Sequence, residues 1–151
     1  MDITESSLKG SPSITALTLG VRDVERSRDF YVDGLGFREI AYSPGDILFV
    51  QAGHGLMLAL WSVEQMPSEY GDVAHGTSGP PVSLGHNTNS VERVHDLYQR
   101  ALAAGAQPIT EPQTRSWGGT SACVADPDGF RWDFVYNPSF EVAADGTVTG
   151  V

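Results

Sequence analysis

From Ile14 to Val21 large apolar residues (Ile14, Leu17, Leu19, Val21) stand against small or polar ones such as Thr18 and Gly20. A period of two marks a half-buried strand. At Asp23, a good helix N-cap, the pattern changes: Val24, Ser27, Phe30 and Tyr31 recur at helical spacing until Gly34 and Gly36 stop the helix. Three short strands follow: Phe37 to Tyr42, Ile47 to Gln51 and Leu56 to Trp61. They are separated by the turn formers Ser43-Pro44-Gly45-Asp46 and Gly53-His54-Gly55. Residues 62–81 lose the alternation and collect Pro67, Gly71, Gly76, Gly79 and Pro80, as a long connector does.

The same series then returns. Val82 to Asn87 reads as a strand, Asn89 as a cap with Glu92 three residues on, and Val91, Val94, Leu97, Tyr98, Ala101 and Leu102 as a helix ended by Gly105. Gln107 to Ile109, Thr120 to Ala125 and Phe130 to Tyr136 supply three more strands, the last two joined by an Asp126-Pro127-Asp128-Gly129 turn. Letters repeat with the elements. Val24-Glu25-Arg26 and Phe30-Tyr31 answer to Val91-Glu92-Arg93 and Leu97-Tyr98, at a constant offset of 67 residues. Two copies cannot stack into a solenoid, but they fit two βαβββ modules, 14–61 and 82–136, closing around a shared cleft.

The length of 151 residues sets one domain. Nine Lys and Arg against 19 Asp and Glu give a formal net charge of −10, which repels phosphate backbones and anionic headgroups, so neither nucleic acid nor a membrane surface is expected as a partner. One cysteine, Cys123, cannot form an internal disulfide, and a reducing cytoplasm is the expected compartment. Residues 1–13 lack an apolar run and read as a flexible polar leader; residues 139–151 read as a C-terminal tail.

The combination of LGVRDVERSRDFYVDGLGF (19–37), ALAAGA (101–106), WGG (117–119) and ADPDGFRWDFVYNP (125–138) resembles the vicinal oxygen chelate superfamily, which unites glyoxalases, bleomycin-resistance proteins and extradiol dioxygenases. The resemblance covers Ile14 to Pro138 and implies an α+β fold in which paired βαβββ modules form a half-barrel cleft. It also implies, for the metalloenzymes, a His or Gln on the first strand, a Glu on the fourth, a His on the fifth and a Glu on the eighth. Carried onto this chain those positions are Ala16, Ala59, Pro81 or Val82, and Asp133. Only Asp133 keeps an oxygen ligand, so no metal and no cofactor are expected. The four histidines, His54, His75, His86 and His95, share no ligand spacing.

With Ala16 facing the cleft, alternation sends Thr18 and Gly20 there too, with Met57, Ala59 and Trp61 from the fourth strand and Arg131, Asp133 and Val135 from the eighth. The third strand offers either Phe49 with Gln51 or Leu48 with Val50, and the fifth either His86 or Asn87. Trp117 in its glycine-flanked loop is either a lid over the opening or a loop anchor. Asp133 is placed to pair with Arg131 or Arg115. Cys123, within an apolar strand, reads as packing, and Asp126 and Asp128 as turn residues that act on stability alone.

Thr18, Met57, Trp61, His86, Trp117, Arg131 and Asp133 are therefore the candidate ligand-binding residues. An aromatic and thioether cleft with one carboxylate suits an amphipathic or cationic organic ligand. The chemistry points to a metal-independent binding protein of the bleomycin-resistance type, expected as a homodimer. The alternative is a small lyase or isomerase using Asp133 and His86. A glyoxalase reaction needs a metal to polarise the carbonyl and is not expected.

Overall fold

A computed structural model describes residues 14–74 and 79–151. The expected leader, residues 1–13, and His75 lie outside the described residues. The first strand, β1 (Ala16–Val21), buries Leu19 and Val21. Asp23 then accepts a hydrogen bond from the Arg26 backbone N–H at 3.1 Å and starts α1 (Val24–Arg28). The helix does not continue as a regular α-helix. Asp29–Gly34 widens into a π-helical turn in which the consecutive Phe30 and Tyr31 are both buried.

Strands β2 (Glu39–Ser43), β3 (Ile47–Gly53) and β4 (Leu56–Ser62) form the meander. β4 returns parallel to β1, with Ala16 beside Met57, giving the order β1-β4-β3-β2. The connector contains one helical turn, α2 (Pro67–Tyr70). The second module repeats the plan with β5 (Ser83–Thr88), α3 (Val91–Ala103), β6 (Gln107–Thr114), β7 (Thr120–Ala125) and β8 (Arg131–Tyr136), in the order β5-β8-β7-β6. The fold is α+β, built as two βαβββ modules. Among the described residues no helix is long and apolar enough to cross a membrane.

Three local expectations need correction. Ser90, not Asn89, caps α3: its side chain accepts from the Arg93 N–H at 3.1 Å. β6 runs to Thr114 rather than Ile109, because Pro108 and Pro112 disguise it; as the edge strand of its sheet it tolerates residues without a backbone donor, at the cost of two register irregularities. Residues 139–151 are not simply a tail, since β9 (Glu141–Val142) and β10 (Val148–Gly150) pair as a small hairpin.

One apolar core joins the modules. At its centre the Tyr31 hydroxyl donates to Asp126 Oδ2 at 2.5 Å and accepts from Trp132 Nε1 at 3.1 Å. Asp126 Oδ1 accepts from the backbone N–H groups of Asp128 (2.9 Å) and Phe130 (2.8 Å). Burial pushes the Tyr31 pKa well up, and the Asp126 carboxylate helps; burial also raises Asp126, against the hydrogen bonds it accepts. The same turn reaches the start of α1: Asp128 Oδ1 receives Arg22 N (2.9 Å) and Arg22 Nε (3.0 Å), with Arg26 Nη2 at 3.5 Å. Gly34 lets the two helix ends meet, as a Cβ there would stand 2.5 Å from the Ala104 methyl.

The Asp-Pro-Asp-Gly segment thus fastens one module to the other. Asp128→Ala, which frees both arginines and opens no new pocket in the apolar core, is expected to lower the unfolding free energy by about 1–2 kcal/mol. Urea denaturation with an unchanged slope checks this; a change within about 0.5 kcal/mol, the ordinary surface range, contradicts it.

Candidate functional site

Each sheet packs one face into the core and leaves the other open. In the first sheet Leu19, Val21, Leu48, Val50, Leu58 and Leu60 are buried, so alternation turns Thr18, Phe49, Gln51, Met57 and Trp61 to the open face. The register of the third strand is thereby settled in favour of Phe49 and Gln51. Thr18 is exposed, while Met57 and Trp61 are half-buried. Trp61 is oriented by Asp46, whose Oδ1 accepts from the indole Nε1 at 3.2 Å.

In the second sheet Trp132 and Phe134 point into the core, leaving Arg131, Asp133 and Val135 on the open face, in register with Ser83, Gly85 and Asn87. Cys123 on β7 lies opposite Asp133. A cavity of about 390 Å³ is lined here by residues 80–83, Cys123, Arg131 and Asp133. The Ser83 hydroxyl donates to Asp133 Oδ2. The expected pairing of Asp133 with an arginine is not formed among the described residues. Arg131 Nη1 donates to the Gly129 carbonyl at 2.6 Å, and Arg115 Nε to Ser121 Oγ at 2.8 Å. Burial and then the adjacent Asp133 push the Cys123 thiol up to about 11, so it stays protonated at neutral pH and is a poor nucleophile.

Two candidates lie elsewhere. His86 shares the core-side face with Phe134, its ring 6.2 Å away centroid to centroid, and so stands on the opposite face of the sheet from Asp133. The structure does not bring the proposed catalytic pair together. The reason is visible in β5: Leu84 is its only large apolar side chain, and it takes His86 to the core side with it. Trp117 is 51% exposed, lies over Gly119 so closely that a Cβ there would collide with the ring, and lines neither this cavity nor the larger one described below. It anchors its own loop rather than covering the opening.

Ser83 and Asp46 were not singled out from the sequence. Ser83 carries a usable signal, since it lies 67 residues after Ala16, the offset of the repeat, and pairs with Arg131 as Ala16 pairs with Met57. It, rather than Pro81 or Val82, is the fifth-strand counterpart of the first-strand ligand position. The donor set at the four metal positions is then two methyl groups, one hydroxyl and one carboxylate, from Ala16, Ala59, Ser83 and Asp133. Such a set does not fit a catalytic divalent ion, which takes imidazole and carboxylate ligands. Among the described residues no three His, Cys, Asp or Glu side chains converge elsewhere as a ligand group.

Comparison with known proteins agrees with this architecture. The family model described as Glyoxalase/Bleomycin resistance protein/Dioxygenase superfamily matches residues 13–134. Uncharacterized proteins of Mycobacterium bovis and Mycobacterium tuberculosis are 32% identical over 119 residues, covering 76% of this chain and 76% and 68% of their own lengths. A glyoxalase-related enzyme from Fulvimarina pelagi is 35% identical with a TM-score of 0.80, covering 91% of this chain and 96% of that one. A glyoxalase/bleomycin resistance protein/dioxygenase from Nocardioides is 25% identical with a TM-score of 0.72, over 94% and 90% of the two chains. The chain belongs to the glyoxalase/bleomycin resistance protein/dioxygenase superfamily.

Elemental analysis of the purified protein after gel filtration is expected to find no stoichiometric transition metal, and added divalent ions are expected to confer no glyoxalase turnover with methylglyoxal and glutathione. One tightly held ion per chain, released by Asp133→Ala, contradicts this.

Proposed function

We propose that the protein binds an amphipathic or cationic organic compound on its open sheet faces without a metal, as a sequestering member of its superfamily. The observation that carries this reading is the make-up of those faces. Phe49, Met57 and Trp61 supply aromatic and thioether wall, and Asp133 supplies a carboxylate with a hydroxyl neighbour and no arginine partner among the described residues. A carboxylate on one open face and an aromatic and thioether wall on the other are the two features that a cation with hydrophobic bulk uses.

A second copy of the chain is the partner for the apolar side chains left uncovered where the two modules begin. Leu17 on β1 (36% exposed) and Val82 before β5 (44% exposed) are apolar and uncovered in the single chain, and the cavity at Asp133 is open on the same side as Val82. The cytoplasm suits the single half-buried cysteine. The alternative of a lyase or isomerase using Asp133 with His86 has less support, because the sheet separates the two side chains.

Titration of tryptophan fluorescence with a panel of cationic aromatic dyes tests the site. Trp61→Ala and Asp133→Asn are each expected to weaken binding roughly thirtyfold, about 2 kcal/mol, with Asp128→Ala leaving affinity unchanged. Binding weakened only by Asp128→Ala overturns the assignment. In sedimentation equilibrium the protein is expected to be a dimer that Leu17→Asp dissociates; a monomer at all accessible concentrations contradicts the second-copy reading.

A further inference from the structure

A second, larger cavity of about 840 Å³ opens where the two modules meet, away from Asp133 and Cys123. Its floor includes Phe37 and Trp132, with ring centroids 5.7 Å apart and planes tilted by 46°. Its titratable lining is Arg38, His54, His86 and Asp145. The last comes from the turn between β9 and β10, beyond the segment 13–134 that matches the family. This turn lies against the wall: a Cβ on Gly146 would stand 3.1 Å from His86 Nε2.

The two formal charges at this rim, on Arg38 and Asp145, are not paired with each other. Asp145 is already engaged, accepting from the Thr147 N–H at 2.9 Å and lying 3.2 Å from His54 Nε2, and both contacts hold its carboxyl below the ordinary range. Arg38 has no carboxylate within ion-pair distance among the described residues; its side chain meets Gln51 Oε1 at 3.4 Å. Arg38 is therefore the cation on this wall without a carboxylate partner among the described residues, on a chain whose formal net charge is −10. His86 adds hydrogen-bonding capacity, since neither ring nitrogen has a partner among the described residues. Burial, and then Arg93, lower its pKa, leaving a neutral ring with one donor and one acceptor.

A guanidinium fork that lines the same cavity as the edges of two aromatic rings suits a flat molecule ending in a carboxylate, because the fork matches both carboxylate oxygens and the rings offer edge contacts. We infer that this seam between the modules is a separate binding site for a small aromatic carboxylate, with Arg38 holding the carboxylate, His86 donating a further hydrogen bond and the ligand ring on Phe37 and Trp132. The volume is ample for one such ligand. The inference is independent of the open-face reading, which concerns cations and different residues.

The test is an amide NMR titration of the full chain with benzoate, with benzamide as the uncharged isostere. Saturable shifts are expected at Arg38, at Gly85–Asn87 and at Gly146, with benzamide at least tenfold weaker. Arg38→Gln is expected to weaken benzoate at least tenfold, Arg38→Lys less, and His86→Phe severalfold, while Trp61→Ala and Asp133→Asn leave it unchanged. Arg38 is exposed, so its replacement leaves the fold intact. Absence of saturable shifts, shifts centred on Ser83 and Asp133, or equal binding of benzoate by wild type and Arg38→Gln each overturn the assignment.

Discussion

The buried hydroxyl of Tyr31 is the contact on which the arrangement of the two modules depends. It belongs to the π-helical turn of the first module, and its two partners, Asp126 and Trp132, belong to the second. A carboxylate, a phenol and an indole N–H are each costly to bury alone; here each satisfies another, and Asp126 takes two backbone N–H groups besides. The Asp-Pro-Asp-Gly turn, ordinary as a sequence, is held in this shape because it completes that junction. Its second carboxylate then draws Arg22 and Arg26 onto it from the start of α1.

Joining the modules through helices and core-side strand faces leaves the other sheet faces uncovered in the single chain. The same packing separates two kinds of chemistry. Asp133, Ser83 and Cys123 occupy the open face of the second sheet, whereas His86 is carried through to the seam with Phe37, Arg38 and Trp132. On the proposed assignments, Asp133 of the second module and Arg38 of the first take ligands of opposite charge at two separate places.

Most of the fold was legible because hydrophobic periodicity is strong where one face is buried. Leu19, Val21, Val94, Leu97, Tyr98 and Ala101 announce their elements, and the repeat of 67 residues announces the topology. Where side chains are small or polar, the pattern thins. β5 has Leu84 alone to report its facing, so His86 could not be placed. β6 is masked by two prolines that only an edge strand accepts, and the π-helical turn has no periodicity of its own. The C-terminal hairpin is held by local bonds such as Ala143 N–H to the Thr147 carbonyl at 2.8 Å, not by an apolar stripe, and left no signal of a role in a cavity. The open-face placement of Met57, Trp61, Arg131 and Asp133 follows from alternation, while Ser83 required the repeat offset to be carried one strand further.

Native-state hydrogen exchange of the Tyr31→Phe variant tests most directly whether the two modules share one fastened core. Removing the hydroxyl leaves Asp126 Oδ2 and Trp132 Nε1 without their partner. The slowest amides of β4 and of β8 should therefore lose protection by the same amount, about 1–3 kcal/mol, because both report one global opening. A loss confined to β8, with β4 unchanged, would show that the modules open independently and that the Tyr31 junction does not join them.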